Sequence, residues 1–413
     1  MKVLWLCNIV LPEFSERFGF RKVNVGGWLT GMWNELKKSP DIELGICLPI
    51  RDEARMKDGD TGECKYYSFH YVQEEDQLEK QVSDFLKIIG DFRPDVIHIW
   101  GTEYQHTYAM LQACQKADLL DKVVINIQGL LHICAKHYAN ELSKELIEKN
   151  IDGQSIQNEI DEFISRSTYE KNSLNVAKHV VGRTMWDKAC VMQINPSLNY
   201  YHCNEILRPV FYEKRGTWKY ENCEKYTIFV SQANYPLKGF HVFLKALAII
   251  KERYPQVKVY VAGVPVIDLS TTYAEYIREY ITTLQLEENI EFLGMQTEEK
   301  MCEYYQKCNV FVSASSIENS PNSICEAGMI GTPIVASFVG GVPDLIKHQE
   351  EGLLYPFDAE YMLAHYVSYL FENQEACRVL SKNASLKMSK LNDVDINSKA
   401  TIEIYKNINL TER

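Results

Sequence analysis

Short apolar runs alternate along the chain with longer segments whose apolar residues recur at helical spacing. In the second half, runs of this kind predict strands at 227–230, 257–262, 290–293, 310–313 and 333–336. In the first half they predict strands at 3–7, 44–48, 66–71, 96–100 and 123–127. Because the runs are continuously apolar rather than alternating, we expect parallel strands that helices bury on both faces.

Three helical or irregular segments complete this pattern. Apolar residues at i, i+3, i+4, i+7 and i+10 predict an amphipathic helix over 240–250, directly after the strand at 227–230. Residues 135–175 are polar and helical in composition, which places helices outside the first sheet. Residues 211–226 are charged and show no period, which is typical of a linker. The pattern therefore predicts two α/β domains that are joined near residue 215.

Composition and charge narrow the class of protein. The 413 residues are 46% hydrophobic and 24% charged, which excludes disordered and coiled-coil chains. No apolar run approaches the length of about 18 residues that a membrane-spanning helix needs. The net charge of −12 divides evenly at residue 210, as 24 − 30 = −6 before it and 20 − 26 = −6 after it. A chain without a basic stripe is not expected to bind nucleic acid.

The cysteines and the first residues indicate the compartment. The 12 cysteines are scattered and form no CxxC pair, which favours free thiols in a reducing compartment over disulfides or a metal site. The first residues, MKVLWLCNIV, lack a small-residue cleavage site and run into charged residues, so we interpret them as a buried strand rather than a signal peptide. We therefore expect a cytoplasmic protein.

The junction that follows the strand at 310–313 carries two carboxylates. Glu318 lies in its polar loop, and Glu326 lies one turn inside a helix that should begin near Asn322. The free N–H groups of that first turn, with Asn322 and Ser323, are suited to hold an anion, while the two carboxylates suit hydroxyl groups. The alternative is that Glu326 only favours the helix N-terminus.

Two further junctions of the second half carry candidate phosphate-binding groups. Lys238 and Gly239 open the amphipathic helix, so that a cation and a positive helix end meet, although a solvated lysine is the simpler interpretation. Gly340 and Gly341 permit close backbone approach before Pro343, which suits a first helical turn. Paired glycines are also common in ordinary turns.

The first half contributes polar residues at the ends of its predicted strands. Gly26 and Gly27 precede a helix that ends near Lys38, but the sequence has no GxGxxG fingerprint, no Walker loop and no GxSxG elbow. The other polar residues that follow strands are Glu103, His106, Gln128 and His132. These side chains stand where a second substrate could lie, and the alternative for each histidine is a structural role in the core.

Taken together, these junctions resemble those of the retaining nucleotide-sugar glycosyltransferases of family 4. The match lies in the order and spacing of Gly26-Gly27, Lys238-Gly239, Glu318-x7-Glu326 and the segment 340–344, GGVPD. The resemblance covers nearly the whole chain and is densest over 227–354. It implies a GT-B fold, in which two Rossmann-like domains with parallel sheets face each other across a cleft.

The resemblance also implies that the two domains bind different substrates. Residues 1–212 would bind the acceptor, and the C-terminal helix at about 385–413 is a candidate addition to that domain. Residues 213–384 would bind the nucleotide sugar.

By the same resemblance, individual residues acquire expected roles. Lys238 would neutralise the diphosphate, Glu326 would accept hydrogen bonds from the ribose, and Glu318 would contact the donor sugar. Gly26 and Gly27 would approach the phosphates. The remaining donor-side candidates are Gln232, Gly239, Gly294, Asn319, Ser320, Asn322 and Ser323. Catalytic candidates are Glu318, His106 and Glu103, and acceptor-side candidates are Trp100, Tyr104, Gln128, His132 and Arg183.

The sequence departs from the family at two positions. The family usually has an arginine six residues before the lysine, where this chain has Gln232, and Arg183 is our candidate for a replacement cation. The histidine often found after the fifth strand is replaced by Gln128, which makes His106 and His132 candidate substitutes.

The resulting hypothesis is a metal-independent transfer of a sugar from a UDP- or GDP-linked donor, with UDP favoured, to a hydroxyl of a saccharide or lipid-linked saccharide. We expect no tightly bound cofactor. The alternatives are a nucleotide-sugar epimerase on the same fold and a sugar-nucleotide-binding protein without catalysis. Weak peripheral contact with the inner face of a membrane stays open, through the short basic pairs Lys37-Lys38 and Arg21-Lys22.

Overall fold

The computed structural model describes residues 1–20 and 26–410. The basic pair Arg21-Lys22 therefore lies outside the described residues. The chain divides into two compact units. Their segments, in order, are Met1–His132, Phe163–Ile206 and Asp393–Arg413 for the first unit, and Ile133–Glu162 and Leu207–Asn392 for the second.

The first unit is built on an eight-stranded sheet with the strand order β3-β4-β2-β1-β5-β6-β7-β8. The strands are β1 Lys2–Leu6, β2 Glu43–Ile50, β3 Gly59–Asp60, β4 Lys65–His70, β5 Val96–Trp100, β6 Val123–Asn126, β7 His179–Gly182 and β8 Asn199–His202. The short β3 is antiparallel to β4, and the remaining pairs are parallel.

The second unit has a six-stranded, fully parallel sheet with the order β11-β10-β9-β12-β13-β14. Its strands are β9 Glu224–Val230, β10 Lys258–Ala262, β11 Ile290–Gly294, β12 Cys308–Ser313, β13 Ile334–Ser337 and β14 Leu353–Tyr355. Strands β12 and β13 are buried along their length, as their continuous apolar sequences require.

Helices connect successive strands. In chain order they are α1 Pro12–Ser15, α2 Gly27–Leu36, α3 Leu78–Phe92, α4 Gln105–Lys116, α5 Leu131–His137, α6 Lys144–Glu148, α7 Ile156–Val176, α8 Met185–Ile194, α9 Pro209–Glu213, α10 Phe240–Arg253, α11 Thr272–Thr283, α12 Glu298–Lys307, α13 Asn322–Ile330, α14 Val342–Leu345, α15 Glu360–Glu372, α16 Gln374–Leu391 and α17 Val394–Leu410.

The predicted elements agree with this architecture. Each of the ten predicted strands is present within a few residues, and α10 buries the apolar positions that predicted it. The sequence analysis missed the strands β3, β7, β8 and β14, which have two to four residues each. Runs this short carry too few apolar positions for a period to be recognised. The predicted pair of Rossmann-like α/β domains is confirmed.

The division of the chain differs from the predicted boundaries chiefly in residues 133–162, and residues 207–212, also predicted for the N-terminal domain, belong to the second unit as well. Residues 133–162 were assigned to the N-terminal domain, but they group with the second unit. The last helix, α17, packs with the first unit, where Tyr405 accepts a hydrogen bond from Trp5 at 3.1 Å. The order of segments along the chain does not decide to which unit a segment belongs, because a segment joins the unit against which its side chains pack.

Candidate functional site

Three strand-to-helix junctions of the second unit meet at one edge of its sheet. Strands β9, β12 and β13 are direct neighbours, and they run parallel. Their carboxyl ends therefore lie side by side and bring the loops 231–239, 314–321 and 338–341 together. In open parallel sheets this edge is where ligands bind.

Lys238 and Glu318 form an ion pair between two of these loops. The Nζ of Lys238 lies 2.6 Å from Oε1 of Glu318, and each side chain is less than one fifth exposed. Ser315 donates a second hydrogen bond to the same carboxylate oxygen at 2.8 Å. Burial acts to lower the pKa of Lys238, but the charge of Glu318 raises it well above its ordinary value. The lysine is therefore charged at neutral pH.

Two glycines fix the loops that carry this pair. Gly239 has φ +65° and closes the turn after Lys238, and a Cβ there would lie 1.9 Å from the carbonyl oxygen of Ala314. Gly340 has φ +50°, and a Cβ there would lie 1.9 Å from the carbonyl oxygen of Glu318. The close backbone approach predicted for Gly340 is made to the protein's own chain, and it holds the loop of Glu318 in place.

Glu326 lies on α13 and is only 8% exposed. Arg208 donates from Nη2 to Oε1 of Glu326 at 2.8 Å, and the hydroxyl of Tyr305 donates to Oε2 at 3.3 Å. The Nε of Arg208 also lies 3.6 Å from a carboxylate oxygen of Glu298. Burial raises the pKa of Glu326, and the guanidinium of Arg208 acts against that rise.

Arg208 is a candidate site residue that the sequence analysis missed. It stands 118 positions before its partner Glu326, so no local motif links the two residues. The available signal was an arginine directly before Pro209, a proline in the first helical turn, next to the predicted linker.

The start of α13 is as predicted. The helix begins at Asn322, and its N-cap residue Pro321 has no side-chain donor or acceptor to offer the first turn. Asn319 is buried in the preceding loop, whereas Ser320 and Ser323 are partly exposed. The first N–H groups of a helix have no partner within the helix. They are therefore available to an anion or to backbone and solvent acceptors.

Two donor-side candidates lie at the ends of β9 and β11, which β10 separates in the sheet. Gln232 follows β9 and is partly exposed. Gly294 ends β11, and its carbonyl oxygen accepts a hydrogen bond from Gly263 at 3.1 Å. Both positions belong to the same carboxyl edge as Lys238.

The segment 133–162 packs against the loops of this edge. Ser316 donates from its hydroxyl to the carbonyl oxygen of His137 at 2.8 Å, and Nε2 of His241 lies 2.8 Å from the carbonyl oxygen of Asn140. The ring of Tyr138 is stacked on that of Tyr235, with centroids 6.4 Å apart. The predicted helical region outside the first sheet therefore borders the Lys238 loop.

In the first unit, Glu103 follows β5 and is 8% exposed. Its Oε1 accepts a hydrogen bond from the backbone N–H of Gly129 at 3.1 Å, while its Oε2 has no hydrogen-bond partner among the described residues. Burial raises the pKa of Glu103 to about 7. A carboxyl group with this pKa is suited to proton transfer near neutral pH.

His106 and Tyr104 lie beside this carboxyl group. Their rings stack with centroids 5.1 Å apart, and the guanidinium of Arg166 lies 4.5 Å above the ring of Tyr104. Burial lowers the pKa of His106 to about 3, with Arg166 adding to the effect. The imidazole is therefore neutral at pH 7.

His132 is held by a buried carboxylate. Glu170 accepts hydrogen bonds from the backbone N–H groups of Leu131 and His132, at 2.5 and 3.2 Å, and it also contacts Nδ1 of His132. One carboxylate therefore caps the start of α5 and orients the imidazole. Gln128 donates to the side-chain oxygen of Asn126 at 2.7 Å.

The positions of Arg183 and Trp100 give no support to two of the hypotheses. Arg183 is buried, pairs with Glu205 and donates to the carbonyl oxygens of Ile127 and Gln128, both at 3.2 Å. Its charge is thus engaged by Glu205 within the first unit. Trp100 is 3% exposed and stacks on His98, with centroids 4.1 Å apart, where it lines a small interior cavity.

The glycine pair and the lysine pair of the first unit lie near α2. Gly26 has φ +63° and caps α2, which begins at Gly27. Lys37 lies 2.8 Å from Glu13, and Lys38 lies 2.7 Å from Glu35. Both lysine charges are therefore engaged by neighbouring carboxylates.

Neither a metal-binding cluster nor a membrane-spanning helix occurs in residues 1–20 and 26–410. Within these ranges no group of three or more His, Cys, Asp or Glu residues is arranged to hold a metal ion. The same residues contain no helix long and apolar enough to cross a membrane. The 12 cysteines all lie within the described residues, and none of them forms a disulfide.

The second unit is similar in sequence to known glycosyltransferases. Residues 213–387 match the family Glycosyl transferases group 1. An uncharacterized glycosyltransferase of Methanocaldococcus jannaschii is 27% identical over 184 residues, which is 44% of this chain and 45% of that protein. The chain thus matches less than half the length of this curated relative. Lys238, Glu318 and Glu326 all lie within residues 213–387, which match the family.

Solved structures share the whole fold. Sucrose-phosphate synthase from Thermosynechococcus elongatus superposes with a TM-score of 0.76 over 99% of both chains, at 16% identity. Anabaena HepE, solved in complex with UDP and glucose, superposes with a TM-score of 0.69 over 98% of this chain and 100% of that chain, at 17% identity. At these identities the likeness shows the fold alone, which is the predicted GT-B fold.

Proposed function

We propose that this protein is a glycosyltransferase that moves a sugar from a nucleotide sugar to a hydroxyl group of a saccharide or lipid-linked saccharide. The observation that carries the proposal is the ion pair of Lys238 and Glu318, in which the loop of Glu318 leads into α13, the helix that carries Glu326. All three residues lie within the 213–387 match to the glycosyl transferase family.

The chemistry of donor cleavage explains this combination of groups. When a nucleoside diphosphate leaves, negative charge develops on its phosphate oxygens. A charged lysine and the N-terminus of α13 stabilise that charge without a metal ion. Glu318 accepts hydrogen bonds from hydroxyl groups of the donor sugar, and Glu326 accepts them from the ribose.

UDP-linked sugars are the donors that we favour, with GDP-linked sugars as the second choice. The complex of Anabaena HepE with UDP and glucose supports this choice at the level of the fold. The donor is a substrate rather than a resident cofactor. A cytoplasmic location supplies such activated sugars, and weak contact with the inner face of the membrane belongs to the same proposal.

The acceptor side is assigned to the first unit, and the transfer is proposed to retain the anomeric configuration. Glu103 is the residue best suited to receive the proton of the attacking hydroxyl, because burial raises its pKa to about 7. The neutral imidazole of His106 stacks on Tyr104 nearby and offers a hydrogen bond rather than a charge. His132 and Gln128 stand as further acceptor-side candidates.

The proposal is tested by incubating the protein with UDP-glucose, first alone and then with a panel of saccharide acceptors. We expect UDP release that an acceptor stimulates, and a product whose anomeric carbon keeps the donor configuration by NMR. An inverted product would refute retention. Interconversion of the donor without any acceptor identifies an epimerase. Binding of the donor without hydrolysis or transfer identifies a protein without catalysis, and either result refutes the proposed function.

Two variants separate the roles of the carboxylates. We expect Glu326→Ala to weaken donor binding, because a hydrogen-bond acceptor for the ribose is lost. We expect Glu318→Ala to depress mainly turnover, because its contacts are with the transferred sugar. Unchanged donor affinity and turnover in both variants would contradict the assignment of this site.

A further inference from the structure

Arg208 and Tyr305 both contact the carboxylate of Glu326. The guanidinium reaches Oε1 of Glu326 at 2.8 Å, and the phenol reaches Oε2 at 3.3 Å. Tyr305 is fully buried, and the Arg208 side chain is 15% exposed. The phenol lies equally close, at 3.3 Å, to the carbonyl oxygen of Ser323, so Arg208 is the dedicated donor to Glu326 and Tyr305 shares its single proton between two acceptors.

Each oxygen of Glu326 retains capacity for another hydrogen bond. A carboxylate offers about four acceptor positions, of which Arg208 and Tyr305 use two. The side chain of Glu326 is 10% exposed, so a ligand reaches only its edge. The two protein donors fix the plane of the carboxylate and leave the remaining positions pointing in defined directions.

A buried carboxylate such as that of Glu326 needs a nearby positive charge to stay ionised. A buried carboxylate without a counter-charge takes up a proton, because removal from water disfavours its charged form. Arg208 is itself held in place, with its guanidinium 5.1 Å from the ring centroid of Phe211 and its Nε 3.6 Å from Glu298. The arginine therefore acts as a fixed counter-charge rather than as a mobile surface group.

From this geometry we infer that Arg208 and Tyr305 are positioning residues for Glu326, and that they make the site select ribonucleoside diphosphates over their deoxy analogues. The inference rests on the proposed function, in which Glu326 accepts hydrogen bonds from the ribose. It adds two residues and a form of substrate selectivity. A ribose hydroxyl that meets an ionised, oriented carboxylate gains a charge-assisted hydrogen bond, which a deoxy sugar cannot form.

The rival explanation is that Arg208 contacts the diphosphate directly. The two explanations predict different patterns. A direct phosphate contact affects UDP and deoxy-UDP by the same factor, because both carry the same phosphates. A positioning role affects only the ligand that has the hydroxyl group.

The test measures binding of UDP, 2′-deoxy-UDP and 3′-deoxy-UDP by isothermal titration calorimetry. We expect the unsubstituted protein to prefer UDP about tenfold or more over at least one analogue, since a hydrogen bond to a charged group contributes about that much. Arg208→Met and Tyr305→Phe should reduce the preference to about threefold or less and leave the affinity for that analogue unchanged. Arg208→Lys should restore part of the preference.

Controls keep the result interpretable. Arg378→Met removes an arginine that pairs with Glu221 on an exposed surface of the same unit, and it should leave all three affinities unchanged. Thermal unfolding checks each variant. If Arg208→Met does not fold, Tyr305→Phe decides, because it removes one hydroxyl and keeps the buried ring.

The outcomes separate the inference from the proposed function. An unsubstituted protein that binds neither UDP nor GDP refutes both. Tight UDP binding without any preference for the ribose hydroxyls refutes the inference alone. A preference that survives Arg208→Met and Tyr305→Phe also refutes it, and so does an equal loss for UDP and its deoxy analogues.

Discussion

In the proposed site, the ammonium group of Lys238 binds the diphosphate of the donor, but Glu318 already neutralises that ammonium group. Removing the charge of Glu318 should therefore strengthen the binding of UDP. Glu318→Gln keeps the shape of the side chain and removes its charge. In the unsubstituted protein, the diphosphate must share the ammonium group with a carboxylate 2.6 Å away. In the variant, the ammonium group has no counter-charge from Glu318, and the diphosphate supplies it.

The structure sets the size of this effect. Two unit charges at 2.6 Å interact by about 6 kcal/mol at an effective dielectric constant of about 20. If the ligand recovers only a quarter of that interaction, the gain of about 1.4 kcal/mol is a tenfold increase in affinity. Both side chains are less than one fifth exposed, so solvent weakens the pair only in part. We expect UDP to bind Glu318→Gln about tenfold more tightly, while turnover with UDP-glucose falls.

Calorimetry with UDP at about 0.1 M and about 1 M salt is the assay, because salt screens a gain that arises from charge. The matched control is Glu141→Gln, which removes a more exposed carboxylate 3.3 Å from Lys245 on α10. That variant should bind UDP like the unsubstituted protein. Affinity of Glu318→Gln for UDP that is equal or lower would refute the reasoning, as would a tenfold gain in Glu141→Gln.

Three further changes test other parts of the site. Lys238→Met should weaken UDP binding much more than uridine binding in calorimetry, since only UDP carries phosphate charge, and equal losses would contradict that role. The pKa of Glu103 rises to about 7 on folding, so the folded state binds the extra proton between about pH 4.5 and 7 and loses stability as pH rises through that window. Glu103→Gln should remove this loss of stability, which is about 3 kcal/mol at pH 8. Denaturant unfolding at pH 5 and pH 8 measures it, and a substitution that changes the free energy of unfolding equally at both pH values would count against the raised pKa. Gly340→Ala should lower both the melting temperature and turnover, because a Cβ there would lie 1.9 Å from the carbonyl oxygen of Glu318, whereas Gly90→Ala, a helical position with no atom within 4 Å of the added Cβ, should be tolerated. Equal behaviour of the two alanine variants would argue against a fixed Glu318 loop.

Most of the fold could be predicted because its signals are local. A buried parallel strand is a continuous apolar run, and the helix α10 shows its period within fourteen residues. The positions of Lys238, Glu318 and Glu326 could also be predicted, since Lys238 and Glu318 lie in loops after recognisable strands and Glu326 lies one turn inside a recognisable helix. Strand order then brings their loops to one edge.

The membership of segment 133–162 could not be predicted in this way. Its helical composition is evident in the sequence, but its partners are distant in the chain. Asn140 meets His241 across 101 positions, and His137 meets Ser316 across 179. Long-range contacts of single polar groups leave no periodic pattern.

By itself, the sequence determined two α/β units, their predicted junctions and the residue types that face a phosphate or a hydroxyl, because these follow from local periodicity and from the chemistry of each side chain. Only the tertiary structure decided which charges meet. It paired Lys238 with Glu318 and Arg208 with Glu326, and it committed Arg183 to Glu205. The physical reason is that the strength and the sign of an electrostatic effect depend on separation and burial, and both are set by chain segments that the sequence places far apart.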